Sequence, residues 1–146
     1  MKTNAKLYML LLCGILCMAG WGNHVFGQIY KKNFELKYPN ARDVEWEAKA
    51  DYYEVEFKWN GHDMTAYFDK KGLWQSTETE VRFKELPNAV KQAIKTSDYA
   101  DWKTDDIDLV EKADGTSYYE IEFELEEGGM EQNAILRITP EGEIIE

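Results

Sequence analysis

Cysteine is nearly missing from this chain. Its 146 residues hold two, Cys13 and Cys17. Both fall in an N-terminal stretch that reads as an export leader: Lys2 and Lys6 are followed by an apolar run from Leu7 to Met18. That run is too short for the ~20 residues that span a bilayer and suits the apolar region of a signal peptide. Val25 and Gly27 are small enough for the −3 and −1 sites of a signal peptidase, so cleavage is expected after Gly27, leaving Gln28 first. Lipid attachment would need a small residue just before the modified cysteine, but Leu12 and Leu16 stand there. The exported chain then has no cysteine, hence neither disulfide nor thiolate site, even in an oxidising compartment. Its stability must come from a packed core, and about 119 residues suffice for one domain.

Histidine is equally scarce. Beyond the leader only His62 remains, next to a hairpin turn. Nucleophilic catalysis needs a nucleophile, a base and an orienting group, and the pattern offers no such set. No catalytic residue, cofactor or metal ligand is assigned. Gly128-Gly129 is a hairpin tip and not the glycine-rich phosphate loop that precedes a helix. Basic residues are also few. Without Lys2 and Lys6, the 17 lysines and arginines fall to 15 against 28 acids, a balance of −13. Such a charge repels nucleic acid and anionic lipid, keeps an exported protein soluble, and attracts a basic partner. Acids are so common that pairs such as Glu54 and Glu56 carry no catalytic signal. Asp101, Asp105, Asp106 and Asp108 cluster, but without the alternate spacing, central glycine and closing glutamate of a calcium loop.

What the chain does have is a strand written twice. YYEVEF at Tyr52–Phe57 returns as YYEIEF at Tyr118–Phe123. In the second half, Leu86-Pro87 opens a helix whose apolar positions Leu86, Val90, Ala93 and Ile94 recur at helical spacing. Strands are predicted over 106–112, 117–126, 132–139 and 143–146, separated by Asp114-Gly115, Gly128-Gly129 and Pro140-Glu141-Gly142. The first half follows the same order. Tyr30, Phe34 and Tyr38 mark a short helix that Pro39 ends, and strands are predicted over 43–49, 51–59, 62–69 and 73–83. Asn60-Gly61 fits a two-residue type I′ hairpin turn. The reading is α+β: a tandem duplication of a helix plus an antiparallel meander, with the helices on one face of a curved sheet. Units at 28–83 and 84–146 form one compact domain after a leader at 1–27.

Period-two alternation assigns the faces. Val44, Trp46, Tyr53, Val55, Phe57, Trp59, Met64, Ala66 and Phe68 are expected toward the helices, as are Tyr119, Ile121, Phe123 and Leu125. The opposite face carries Tyr52, Glu54, Glu56 and Lys58, with Glu45, Glu47, Thr65 and Tyr67, and the second half adds Tyr118, Glu120, Glu122 and Glu124. A solvated surface accounts for this in the plainest way, since antiparallel sheets often leave one face to water. Recognition is the sharper account, because tyrosine supplies contact area at low entropic cost. The candidate partner-binding residues are Tyr52, Glu54, Glu56, Tyr67, Tyr118, Glu120 and Glu122.

The string from Phe34 to Glu47 (F-x-x-x-Y-P-N-A-x-x-V-E-W-E), then YYEVEF, an Asn-Gly turn and FDKKGLW at Phe68–Trp74, resembles the exported bacterial PepSY-like, β-lactamase-inhibitor-like family. LPNAVKQAI, YYEIEF and ITPEGEII repeat the pattern, so the resemblance spans nearly the whole exported chain. Two departures touch connections: Tyr99 is followed by Ala100 where the first half has Tyr38-Pro39, and Glu126–Glu131 lengthens one hairpin. The resemblance implies tandem helix-plus-sheet units and a periplasmic or secreted protein without catalytic activity, binding or inhibiting an unknown protein or peptide partner. It names no inhibitory residue. The alternative is a carbohydrate-binding or envelope-associated module using exposed aromatics such as Trp74 and Tyr67, a reading that loses most of its support if Trp46, Trp59 and Trp74 are buried.

Overall fold

The computed structural model describes residues 26–145. The expected leader, with Cys13 and Cys17, lies outside the described residues except for its last two positions. Helix α1 (Phe26–Lys37) precedes four strands, β1 (Arg42–Ala48), β2 (Tyr52–Trp59), β3 (His62–Asp69) and β4 (Trp74–Glu80). A single 3-10 turn (Phe83–Glu85) leads to α2 (Asn88–Thr96), then β5 (Lys103–Lys112), β6 (Ser117–Glu127) and β7 (Met130–Ile138). All seven strands join one antiparallel sheet in chain order, β1 to β7. The β4–β5 pairing, from Ser76↔Lys112 to Glu80↔Asp108, makes the sheet continuous. No described helix is long and apolar enough to cross a membrane.

The core lies in two clusters, one around each helix. Phe34 and Tyr38 meet Val55, Phe57, Met64, Ala66 and Phe68 in the first. Val90, Ala93 and Ile94 of α2 meet Ile107, Ile121, Phe123, Leu136 and Ile138 in the second. The alternation VEF/IEF thus places both phenylalanines inward, as period two requires. Each such side chain contributes roughly 1.5–3 kcal/mol on burial. The strand that sequence patterning reads least well is β4. It buries threonines: Thr77 is fully buried, accepts a hydrogen bond from Trp74 Nε1 at 2.8 Å and shares another with the Tyr38 hydroxyl. A buried hydroxyl costs little when so paired.

Six expectations need correction or refinement. Val44 lies on the helix side near Phe34 and Trp46, as alternation requires, but on this edge strand it stays exposed. The β1–β2 register shifts between Arg42 and Glu45, where Asp43 takes a positive φ of 52°, the mark of a β-bulge. Leu125 is only half-buried near the far end of a long hairpin. The predicted strand at 143–146 is reduced to one bridge, Ile138↔Ile144. The run 73–83 keeps its strand only over β4, with Leu73 and Phe83 exposed at its ends. Pro87 caps α2 from outside instead of occupying its first turn, and β5 begins at Lys103, ahead of the expected Asp106. The Asn60-Gly61 turn has the expected positive φ at both positions, 50° and 88°.

The two hairpin turns that face the helices tolerate no side chain. At Gly72 (φ +81°) a Cβ would lie 2.9 Å from the Tyr30 nitrogen, and at Gly142 (φ +93°) 2.9 Å from the Ala89 carbonyl oxygen. Both sites combine strained φ with backbone in the way. Gly72→Ala and Gly142→Ala are each expected to destabilise by more than about 1 kcal/mol, whereas Gly115→Ala, which meets open space, costs only its φ strain. Thermal melts of the three variants check this ordering.

Candidate functional site

The side of the sheet away from the helices is acidic from one edge almost to the other. Pairing across the strands sets the carboxylates in rows. Glu47 pairs with Glu54 and that with Tyr67, while Glu45 pairs with Glu56 and that with Thr65. Glu78 of β4 lies beside Thr65, and Glu80 pairs with Asp108, which pairs with Glu120. Asp106 pairs with Glu122. A concavity of about 390 Å³ opens among them, lined by Glu45, Glu56, Glu78, Glu80, Asp106 and Asp108, together with Asp43, Asp63 and Lys58. Lys58 is the one cation of that lining, and Asp63 holds it at 2.5 Å.

The sequence-chosen residues are all on this face, yet they do not form one patch. Strands β2 and β6 stand four positions apart in the sheet, roughly 19 Å at about 4.8 Å per strand. Tyr52, exposed, meets Tyr67 edge-on at 5.8 Å between centroids. Tyr67 donates its hydroxyl hydrogen bond to Glu78 Oε2 at 2.7 Å, and burial followed by that carboxylate raises its pKa. Glu54 is mostly covered, with Lys49 Nζ 3.8 Å away, and burial raises its pKa. Glu56 is exposed. On β6, Tyr118 is half-buried, with the Lys112 ammonium 5.0 Å and the Arg137 guanidinium 6.0 Å from its ring. Glu120 is engaged by Arg137 Nε at 2.6 Å. Glu122 is exposed, and its pKa is raised by partial burial and by Asp106.

Sequence reasoning missed the residues that bridge the two halves. Glu78 and Glu80 belong to WQSTETE, a segment whose inward residues are threonines, so no apolar alternation exposed its outer face. Asp106 and Asp108 were read as part of a helix-to-strand acid cluster, but both sit on β5 facing Glu122 and Glu120. Among the described residues, no three acids or histidines converge closely enough to hold a metal ion. His62 bonds through Nδ1 to the Glu80 carbonyl at 3.1 Å.

Asp108 is the most perturbed acid of the face. Burial, then Asp106, Glu78, Glu80 and Glu120, push its carboxyl up to about 7 from 3.8. The folded chain therefore keeps a proton that the unfolded chain loses between these values, so stability falls as pH rises through that window. The carboxyl retains solvent contact, and screening should hold the effect to about 1–2 kcal/mol. Asp108→Asn is expected to be more stable than the parent at pH 8 and equal to it near pH 4. Denaturant melts of both proteins at pH 4, 6 and 8 check this.

The three tryptophans named for a carbohydrate platform do not stand open to solvent. Trp46, Trp59 and Trp74 are all half-buried against the first core, and the Lys37 ammonium lies 3.5 Å from the Trp74 ring centroid.

Residues 51–146 match the model of a family described as "Putative beta-lactamase-inhibitor-like, PepSY-like". Solved structures share the fold. A DUF2874 family protein from Bacteroides uniformis has a TM-score of 0.75 at 26% identity, over 81% of this chain and 85% of its own. A BLIP-like protein from Bacteroides fragilis has a TM-score of 0.72 at 26% identity, over 91% and 86%. A protein from Bacteroides eggerthii described as "putative periplasmic" has a TM-score of 0.73 at 23% identity, over 81% and 84%, a likeness of fold alone. A search of curated proteins finds no match.

Proposed function

This chain belongs to the PepSY-like, beta-lactamase-inhibitor-like family, and from that premise we propose that it is a non-enzymatic periplasmic protein that binds a basic surface of another protein. The observation that carries the reading is the concavity of about 390 Å³ on the outer face, lined by eight carboxylates from β1 to β5. Like charges this close repel one another, and a cationic partner relieves that repulsion. Tyr52 and Tyr67 at one end and Tyr118 at the other supply apolar contact beside the charge. A BLIP-like relative of the same fold supports an inhibitor-type role. The leader supports export, and cleavage after Gly27 belongs to the same proposal.

The duplication is part of it as well. Units at 28–83 and 84–146, each a helix with its strands, share one sheet, so the acidic face is broader than either half could build. The carbohydrate-binding alternative loses most of its support, since Trp46, Trp59 and Trp74 are partly buried against the core.

Pull-down from periplasmic extract tests the proposal, with the parent compared against Glu56→Lys/Glu78→Lys. The expected result is a protein retained by the parent at low salt, released by high salt, and not retained by the variant. Equal retention by both proteins would refute the acidic face as the binding surface.

A further inference from the structure

Strand β7 is a sheet edge covered at one end only. Ile138 bridges Ile144, and the Ile145 N–H donates to the Arg137 carbonyl at 2.9 Å. From Met130 to Leu136 no strand lies beyond it among the described residues. In the first half the corresponding place is filled by β4, and the two turns match bond for bond. The Asp69 N–H donates to the Leu73 carbonyl as Thr139 does to Glu143, and Gly72 donates to Asp69 as Gly142 does to Thr139. Phe68 pairs with Trp74 as Ile138 pairs with Ile144. β4 then runs on along β3, setting Thr79 and Thr77 against Met64 and Ala66, and Glu78 against Thr65. Beside β7 the matching positions are Ala134, Leu136 and Ile135, and Ile135 is 49% exposed. The opposite edge is closed by different means: β1 carries a bulge at Asp43 and acids at Glu45 and Glu47, devices that discourage strand addition.

We infer that the open edge of β7 accepts an extended segment of a partner protein as an additional antiparallel strand, in the place β4 takes beside β3. Main-chain hydrogen bonds would hold it, and alternate side chains would select it. The residues against Ala134 and Leu136 should be small or β-branched, as Thr77 and Thr79 are. Those on the outer side lie next to Ile135 and Glu131, with Glu122 and Glu124 one strand further, and should be lysine or arginine. A second copy of this chain fits poorly, because its own β7 offers Glu131 and no lysine or arginine between Met130 and Leu136. The inference stands on the sheet edge and does not depend on the concave face.

Hydrogen–deuterium exchange on the exported protein tests it, using a synthetic peptide of about eight residues, a usual strand length, that alternates lysine with valine. Exchange over residues 130–136 is expected to slow about tenfold with peptide present. N-methylating alternate residues in one register should abolish that slowing, and methylating the other register should not, because an added strand pairs through one edge only. Ile135→Lys should weaken the peptide about tenfold, by like charge against its lysines. Slowing at β1 instead, no slowing anywhere, slowing that survives both methylated peptides, or self-association through β7 without peptide would each overturn the inference.

Discussion

Phe57→Ala and Phe123→Ala are each expected to lower the unfolding free energy by about 3–5 kcal/mol, the range for a large aromatic removed from a core. The two phenylalanines are 3% and 1% exposed. Phe57 lies edge-on to Phe34 at 4.8 Å and tilted against Tyr38 at 4.6 Å, and Phe123 stacks on Tyr99 at 5.4 Å. Neither set of neighbours can collapse into the hole without leaving its own contacts, so the cavity term adds to the transfer term. A domain is typically stable by about 5–15 kcal/mol, so either change removes a large fraction of the total. Glu56→Ala and Glu122→Ala, one residue before each phenylalanine, should cost well under about 1 kcal/mol. Urea melts of the four variants measure the contrast. Glutamate variants costlier than the phenylalanine ones would invert the faces of β2 and β6 and remove the candidate surface with them.

Tyr52→Ala combined with Tyr118→Ala is expected to leave the fold intact and weaken the partner recovered by pull-down about a hundredfold or more. Interface tyrosines at hot spots cost about 2 kcal/mol or more each when truncated. The two positions differ in detail. Tyr52 is open and backed by Tyr67, whereas Tyr118 is half-covered by Lys112 and Arg137, so the Tyr52 change should account for more of the loss. Charge reversal at Glu54 with Glu120 should instead slow association more than it speeds release, since peripheral charge acts mainly through encounter. Glu120→Lys also sets two cations together at Arg137, so its stability needs measuring alongside. Surface plasmon resonance separates the two rates. Unchanged binding by the tyrosine variant would make the repeated strand scaffold alone.

The sheet and helices were largely legible because alternation is strong wherever apolar residues point inward. Val55 and Phe57, Met64, Ala66 and Phe68, Ile121 and Phe123 all obey it. It failed where physics other than burial decides. The bulge at Asp43 shifts the β1–β2 register, a backbone event that no apolar pattern records. β4 hid its register because hydrogen-bonded threonines took the inward positions. The site was half legible for the same reason. β2 and β6 advertised their acids by repeating them, while Glu78, Glu80 and Asp108 became neighbours only through the β4–β5 pairing. Such long-range pairing is not written in either strand.

Carboxylate footprinting tests the central claim most directly. A carbodiimide couples exposed acids to an amine, and mass spectrometry then compares the protein alone with its complex with the recovered partner. The account predicts protection of Glu45, Glu56, Glu78 and Glu80 on the outer face, with Glu35 on α1, Asp114 at a hairpin tip and Glu85 before α2 labelled equally in both states. Protection at Glu35, Asp114 or Glu85, with the outer face labelled as freely in the complex as without it, would contradict it.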